Sequence, residues 1–146
     1  MEDIIMSKPK IFVSFDFEKD RQYKYTLNMW NANSAFEFTC DDRSPSEIQT
    51  NSVAVVKNVL SRKINEASAV IVIVGQDANK LHPDWREIGF RNWQNYEVAK
   101  AKALGKKLIA VQLNSSYPYP EELINANATR VYSFTQDGII KAVRGW

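Results

Sequence analysis

Ala69-Val70-Ile71-Val72-Ile73-Val74 is an unbroken apolar run in which every residue after the alanine is β-branched, and Gly75 follows it. A strand without any polar residue is buried on both of its faces, which is typical of the middle of a parallel sheet. This stretch therefore predicts a central, parallel β-strand, and the other elements of the chain are assigned relative to it.

Predicted strands and helices alternate on both sides of this run. Short apolar, β-rich stretches predict five strands, at Ile11–Phe15, Ala35–Cys40, Ala69–Val74, Leu108–Leu113 and Val131–Phe134. Apolar residues at helical spacing predict helices at Tyr23–Trp30, Ser52–Asn65, Asn92–Leu104 and Gln136–Arg144, and a short helical piece within Glu121–Asn127. Such alternation predicts an α/β fold with right-handed crossovers. We expect a five-stranded, flavodoxin-like parallel sheet of order 2-1-3-4-5 with helices on both faces.

The bulk properties predict one globular domain over residues 1–146, with residues 1–9 as an N-terminal tail. The 146 residues are 45% hydrophobic and 25% charged, and 19 basic against 17 acidic residues give a net charge of +2. That balance does not predict a nucleic-acid partner. With one cysteine, Cys40, and one histidine, His82, we expect no disulfide, no metal site and a cytoplasmic location. The longest apolar run is too short to cross a membrane.

A ligand site is expected where two loops of the sheet meet. In open parallel sheets, ligands bind beyond the carboxyl ends of the strands, at the point where the strand order reverses. For the order 2-1-3-4-5 this point lies between the first and third strands. The loops there are Asp16–Asp20 and Gly75–Arg91, and the helix Asn92–Leu104 faces the same point with its N-terminal end.

The helix Asn92–Leu104 carries a carboxylate in the middle of an apolar stripe. Trp93, Glu97, Ala101 and Leu104 are spaced by four, four and three residues, so they share one helical face. One interpretation is a glutamate at the edge of the stripe that reaches solvent or pairs with Lys100. The other is a carboxylate held beside an indole in a partly dry pocket, where it is poised for chemistry on a ligand.

Several other nucleotide and hydrolase sites are not predicted. The chain has no GxGxxG after the first strand, no GxxxxGK[ST] and no GxSxG. A phospho-accepting receiver would use acids such as Asp16 and Asp77, but no lysine follows the last strand. Asp84 and Glu87 lie near His82, and we expect them to be surface residues of the loop.

Four stretches together resemble a known family. They are Lys10–Asp16, Asp20–Asn31, Lys63–Gly75, and Trp93–Val98 with Gly105-Lys106-Lys107 after it. The chain resembles the bacterial TIR-like domains associated with the Thoeris anti-phage defence system, from about Lys10 to Phe134. The resemblance implies the TIR-like version of the flavodoxin-like fold.

The resemblance also implies an activity. In active TIR relatives, a glutamate on the helix after the third strand is needed to cleave NAD, and here Glu97 matches it. The implied enzyme is an NAD glycohydrolase or ADP-ribosyl cyclase with NAD as its substrate and no cofactor. Its ADP-ribose-derived product, cyclic or not, would activate a partner effector. We expect Asp16, Phe17, Gly75, Gln76 and Trp93 to shape the substrate pocket.

Two alternatives stay open on sequence grounds. Glu87, in Trp85-Arg86-Glu87, also follows a tryptophan, but the distance of Glu97 from Gly105 fits the family better. The second alternative is a non-catalytic TIR-like scaffold that signals by protein binding or by self-association as a homo-oligomer.

Overall fold

The computed structural model describes residues 10–32, 39–41 and 52–145. Its strands are β1 (Lys10–Ser14), β2 (Thr39–Asp41), β3 (Ala69–Val74), β4 (Lys107–Gln112) and β5 (Thr129–Val131). Its helices are α1 (Phe17–Ala32), α2 (Val53–Glu66), α3 (Trp85–Ile88), α4 (Trp93–Ala103) and α5 (Gln136–Arg144), and a 3₁₀ turn spans Glu121–Leu123. The expected tail, residues 1–9, lies outside the described residues.

The strands of the described part form a parallel sheet in the order β2-β1-β3-β4-β5. All six residues of β3 are buried, and they pair with β4 from Ala69 opposite Lys107 to Val74 opposite Gln112. Alternate β3 side chains pack on opposite sides: one set contacts the core under α2 and α4, and the other contacts the core under α1 and α5. The apolar run therefore buries both faces, as its composition predicts.

The fold prediction is corrected at both edges of the sheet. The second strand was predicted at Ala35–Cys40; its described part, Thr39–Asp41, extends one residue further, and residues 33–38 lie outside the described part. The last strand was predicted at Val131–Phe134, but it is Thr129–Val131. The edge strand β5 has only three residues, and the exposed side chains of Thr129 and Arg130 give it no apolar pattern. Short edge strands are a common way to limit unwanted pairing.

The first helix begins earlier than predicted. Asp16–Asp20 was expected to be a loop, but α1 starts at Phe17. The Oδ1 atom of Asp16 accepts a hydrogen bond from the Glu18 backbone N–H (3.1 Å), and the backbone N–H of Asp20 donates to the Asp16 carbonyl (2.8 Å). Asp16 therefore caps α1, and acidic residues in the first turn suit the positive end of the helix dipole.

Other helix ends follow their sequence signals. The side chain of Ser52 accepts a hydrogen bond from the Val55 backbone N–H (3.3 Å), so the predicted N-cap of α2 is confirmed. Gly105 follows α4 with φ +69°, a left-handed conformation that glycine adopts without strain. The predicted loop Gly75–Arg91 contains the short helix α3. None of the helices among the described residues combines the length and apolarity that a bilayer crossing requires.

Candidate functional site

A cleft of about 490 Å³ lies at the carboxyl edge of the sheet, between the chain segments that follow β1 and β3. This is the switch point where ligands bind in folds of this kind, and the volume is in the range of small-molecule pockets. Three segments line it: Phe15–Lys19, the loop residues Asp77 and Lys80–Pro83, and Asn92–Gln94 at the start of α4.

The predicted pocket residues divide into two groups. Asp16, Phe17 and Trp93 line the cleft. Gln76 is exposed and Gly75 is buried, and neither belongs to the cleft lining. An added Cβ on Gly75 would overlap the Asp20 carboxylate, so the glycine allows that side chain to lie against the end of β3. Contact between these residues and a substrate stays a prediction.

Aromatic rings stand at two sides of the cleft. Phe17 lies 6.4 Å from Phe15 between ring centroids, and the Arg21 guanidinium lies 5.2 Å from the Phe17 ring. On α4, the Trp93 indole packs edge-to-face on Tyr96 at 5.7 Å. Because Phe17 and Trp93 are half-buried and line the cleft, both can offer ring surface to a planar ligand.

Glu97 lies behind the cleft wall and does not line the cleft. Its side chain is 1% exposed, and its Oε1 atom accepts a 2.6 Å hydrogen bond from the Ser14 hydroxyl at the end of β1. The interpretation that Glu97 reaches solvent or pairs with Lys100 was therefore wrong. The shared apolar face extends to buried Ala101 but not to Leu104, which is 37% exposed at the end of the helix.

Burial sets the protonation state of Glu97. Desolvation raises the pKa of this carboxyl from 4.5 to about 8, while the hydrogen bond from Ser14 works in the opposite direction. At neutral pH the resting side chain is therefore mainly the uncharged acid. Sequence spacing identified Glu97, but Ser14 carried no sequence signal beyond being the one polar residue of the predicted strand Ile11–Phe15.

Side-chain amides hold the α4 side of the cleft in place. We call Asn79, Asn92 and Asn95 the amide network. The Nδ2 atom of Asn95 donates to Asn79 Oδ1 (3.1 Å) and Asn92 Oδ1 (2.9 Å), while Asn92 Nδ2 donates to the carbonyls of Ala78 and Lys80 (2.9 Å each). The network thus ties the loop after β3 to the first turn of α4.

Gln94 connects this helix to the sheet. Its Nε2 atom donates to the backbone carbonyls of Ser14 (3.3 Å) and Ile73 (3.0 Å), so one amide joins the ends of β1 and β3. Sequence analysis missed both Gln94 and the amide network. The available signal was the N-cap position of Asn92, whose Oδ1 accepts from the Asn95 backbone N–H (2.9 Å).

Three carboxylates lie near one another beside the cleft, two of them after β1 and one after β3. We call Asp16, Asp20 and Asp77 the acidic rim. Desolvation, followed by the charges of Asp16 and Asp77, raises the pKa of Asp20 from 3.8 to about 6, and Lys19 partly opposes this. Burial also raises the pKa of Asp16, against the hydrogen bond from the Glu18 backbone. Within the described ranges, no three His, Cys, Asp or Glu side chains form a group that could hold a metal ion.

The remaining sequence candidates lie apart from Glu97. Glu87 is exposed on α3 and does not line the cleft. His82 does line it, and its Nδ1 atom accepts a hydrogen bond from the Asp84 backbone N–H (2.9 Å). In the neutral ring the proton is therefore on Nε2, where it can be donated to another group.

Comparison with known sequences gives one family. Residues 12–117 match the family described as "Thoeris protein ThsB, TIR-like domain". No curated protein sequence matches the chain significantly.

Solved structures share the fold at low sequence identity. A conserved protein from Enterococcus faecalis V583 has a TM-score of 0.64 at 10% identity, covering 95% of this chain and 99% of that one. The 2-desoxiribosyltransferase from Leishmania mexicana gives 0.60 at 15%, covering 93% and 97%. The Clostridium botulinum CMP N-glycosidase BcmB gives 0.57 at 15%, covering 94% and 99%. At such identities the likeness establishes the fold alone.

Proposed function

Because this chain belongs to the Thoeris ThsB TIR-like family, we propose that it acts in anti-phage defence as an NAD-cleaving enzyme. NAD is its substrate, and the product is an ADP-ribose-derived nucleotide, cyclic or not, that activates a partner effector. One observation carries the proposal: Glu97, a buried carboxyl of strongly raised pKa, lies one helical turn beyond Trp93 and Gln94, and those two residues line the cleft.

The chemistry of NAD cleavage suits a single fixed carboxylate. The bond between ribose C1′ and the nicotinamide nitrogen breaks with its electron pair going to the nitrogen, so neutral nicotinamide leaves. Positive charge then develops on the ribose, as in other glycosidic cleavages. A carboxylate near the ribose stabilises that charge and holds the ribose hydroxyls. Water, or the adenine of the same molecule, supplies the new bond to C1′ and loses a proton.

The raised pKa of Glu97 fits this role once substrate is bound. A nearby positive charge favours the ionised form of a carboxyl, so a bound nicotinamide cation lowers the pKa of Glu97. The group is uncharged while the cleft is empty, since burial holds its pKa at about 8. Substrate binding would therefore produce the carboxylate where the reaction needs it.

The neighbouring side chains supply binding surface. Phe17 and Trp93 offer ring faces to nicotinamide or adenine. Among the donors of the cleft lining, Lys80 and the Nε2 atom of His82 are available to the pyrophosphate oxygens. Two structures of similar fold are named as an N-glycosidase and a 2-desoxiribosyltransferase, which agrees with sugar–base chemistry on this fold.

A second candidate function is a non-catalytic scaffold that signals by self-association or protein binding. The 1% exposure of Glu97 and its absence from the cleft lining favour it. For catalysis, the side chains between Glu97 and the cleft must move aside when substrate enters. In a scaffold, the Ser14–Glu97 hydrogen bond only joins α4 to β1.

The test is mass spectrometry of NAD and its products with the wild type and three variants. In phage-exposed cells and with purified protein, we expect wild type to release nicotinamide together with an ADP-ribose-derived nucleotide. Glu97→Gln keeps the size of the side chain and should lower product at least about 100-fold. Glu87→Gln is the matched control and should keep wild-type activity. Ser14→Ala should reduce turnover less, because it leaves the carboxyl in place.

Two outcomes would overturn the enzymatic proposal. Product formation by Glu97→Gln at the wild-type rate would remove Glu97 from the reaction. Phage protection without NAD loss, measured in the same cells, would establish the scaffold function instead.

A further inference from the structure

Gln94 is a buried polar side chain whose two amide atoms have different surroundings. It lies in the first turn of α4, is 5% exposed and belongs to the cleft lining. Its Nε2 atom donates to the backbone carbonyls of Ser14 (3.3 Å) and Ile73 (3.0 Å), which uses both of its N–H groups. Because carbonyl oxygens only accept hydrogen bonds, the amide must place its nitrogen on that side. The Oε1 atom is the end that is left for another partner.

The Oε1 atom of Gln94 is an open acceptor. None of the residues that the structure describes donates a hydrogen bond to it, and it is not among the fully buried atoms without a partner, which in the same residues are limited to Asp20 Oδ2. The atom therefore reaches open space, and for a buried residue of the cleft lining that space is the cleft. An almost wholly buried side chain thus presents one unpaired acceptor to whatever enters.

This acceptor lies beside Glu97. The two residues are three positions apart on α4, so their side chains are neighbours on the helix surface. Both contact Ser14: Gln94 bonds its backbone carbonyl, and Glu97 accepts a 2.6 Å hydrogen bond from its hydroxyl. Ser14 is the last residue of β1 that pairs with β3. A ligand group that binds the Oε1 atom of Gln94 is therefore adjacent to the Glu97 carboxyl.

We propose that Gln94 is a specificity-determining residue whose Oε1 atom accepts a hydrogen bond from a hydroxyl group of the ligand's sugar. The identity of that sugar rests on the proposed function: it is the ribose that carries nicotinamide, since this is the part of NAD that Glu97 must reach. The donors that this ribose offers are its hydroxyls at C2′ and C3′. A neutral acceptor such as Gln94 pairs with a hydroxyl and gains nothing from a sugar that lacks it.

The amide of Gln94 is preorganised for this role. Two hydrogen bonds to the ends of β1 and β3 fix its orientation, so little rotational freedom is lost when a ligand binds. A deoxy sugar in the cleft displaces solvent from Oε1 and supplies no donor in return. An acceptor left unpaired in this way weakens binding roughly 5- to 150-fold.

The experiment uses carbocyclic NAD, in which a methylene replaces the ring oxygen of the nicotinamide ribose, and its 2′-deoxy and 3′-deoxy forms. None of these compounds has a glycosidic bond to cleave there. Isothermal titration calorimetry with the full chain measures the three affinities. We expect wild type to bind carbocyclic NAD roughly 5- to 150-fold more tightly than at least one deoxy form. Gln94→Met keeps the side-chain volume and should reduce this preference at least about threefold.

Gln112 provides a matched control. Its Nε2 atom also donates to a backbone carbonyl, that of Tyr117 (3.0 Å), but its Oε1 atom accepts from the Tyr119 hydroxyl (3.4 Å) and the residue is outside the cleft lining. Gln112→Met makes the same chemical change and should keep the wild-type preference. A merely structural role of Gln94 would lower the affinity for all three compounds alike and leave their ratio unchanged.

A second measurement needs no variant, so it holds even where Gln94→Met fails to fold. In wild type, the side-chain carbonyl carbon of Gln94 is followed by ¹³C NMR at saturation with each compound. Its resonance should differ between carbocyclic NAD and the deoxy form that binds less tightly, because only the former donates to Oε1. The corresponding carbon of Gln112 should not respond.

Three results would overturn the role of Gln94: equal affinity of wild type for the three compounds, no binding of any of them, or a folded Gln94→Met protein with the wild-type preference. An unresponsive Gln94 carbonyl resonance would do the same. A preference for the hydroxyl that depends on Gln94, in a protein that does not consume NAD, would sink the proposed function and leave the sugar subsite standing. NAD consumption without that preference would do the reverse.

Discussion

The amide network and the acidic rim border the same cleft but differ in how their polar atoms are hydrogen-bonded. In the network, Asn95 donates hydrogen bonds to the side chain of Asn92, and both residues donate to the loop after β3, at 2.9 to 3.1 Å. In the rim, burial and then the charges of Asp16 and Asp77 raise the pKa of Asp20, whose Oδ2 atom has no hydrogen-bond partner among the described residues. Satisfied polar groups fix the shape of a site, whereas unsatisfied charge leaves it able to gain from a ligand.

Glu97 combines features of both regions. It has a hydrogen-bond donor, Ser14, as network residues have, and a raised pKa, as rim residues have. Its pKa is raised by burial alone, whereas that of Asp20 also reflects neighbouring charge. With pKa values of about 8 and about 6, Glu97 is mainly neutral and Asp20 mainly charged at pH 7.

The largest expected effect is the pH dependence of stability from Glu97. Its pKa is 4.5 in the unfolded chain and about 8 in the folded one, so the folded state binds the extra proton and stability is lost as pH rises through 8. At about 1.4 kcal/mol per pKa unit, the total loss is a few kcal/mol. Urea unfolding of wild type between about pH 6 and pH 9 should show the upper part of this decline, the part that lies above the titration range of Asp20.

Glu97→Gln should flatten that decline, because glutamine keeps an acceptor for Ser14 and does not titrate. Glu87→Gln is exposed and should follow the wild-type profile. A Glu97→Gln protein that loses stability above pH 6 as wild type does would show that another group titrates there.

The next effect tests the amide network. Asn95 is 0% exposed, and its Oδ1 atom also accepts from the Glu122 backbone N–H (2.8 Å). Asn95→Ala leaves several buried groups without partners and should cost about 2–4 kcal/mol in unfolding free energy. Asn58→Ala, on the exposed side of α2, should stay within about 0.5 kcal/mol. Equal costs in chemical denaturation would mean that the network does not stabilise the cleft.

The sequence predicted the centre of the sheet better than its edges. The bounds of β3 and α5 are those predicted, Ala69–Val74 and Gln136–Arg144, because continuous apolar or helical patterns mark them. The residues of β5 are determined by pairing with β4. Thr129 and Arg130 pair with Ile109 and Ala110 although the side chains of Thr129 and Arg130 are exposed. No periodicity in the sequence can show a pairing of that kind.

The same contrast holds in the site. Helical spacing singled out Glu97 because a carboxylate interrupts an apolar stripe. Its partner Ser14 is 83 residues away in the chain, so only the crossover topology brings the two side chains together. Asp20 was read as part of a charged loop, and its burial depends on Gly75 at the end of β3. Local patterns identify candidate residues, and long-range packing decides what those residues contact.

The smallest expected effect distinguishes the acidic rim from the amide network most directly. Removing a negative charge from the rim should stabilise the protein, whereas removing an amide from the network should destabilise it. The pKa of Asp20 is 3.8 unfolded and about 6 folded, so stability is lost as pH rises from about 4 through 6, and the folded state carries the penalty at pH 7. Asp20→Asn removes it, and its amide can donate to the neighbouring carboxylates. We expect a gain of about 1 kcal/mol in unfolding free energy at pH 7 that disappears below about pH 4.

Glu18→Gln, exposed beside the rim, should change stability less. Thermal unfolding at both pH values measures this, and a loss of stability in Asp20→Asn at pH 7 would mean that the rim is electrostatically satisfied without a ligand.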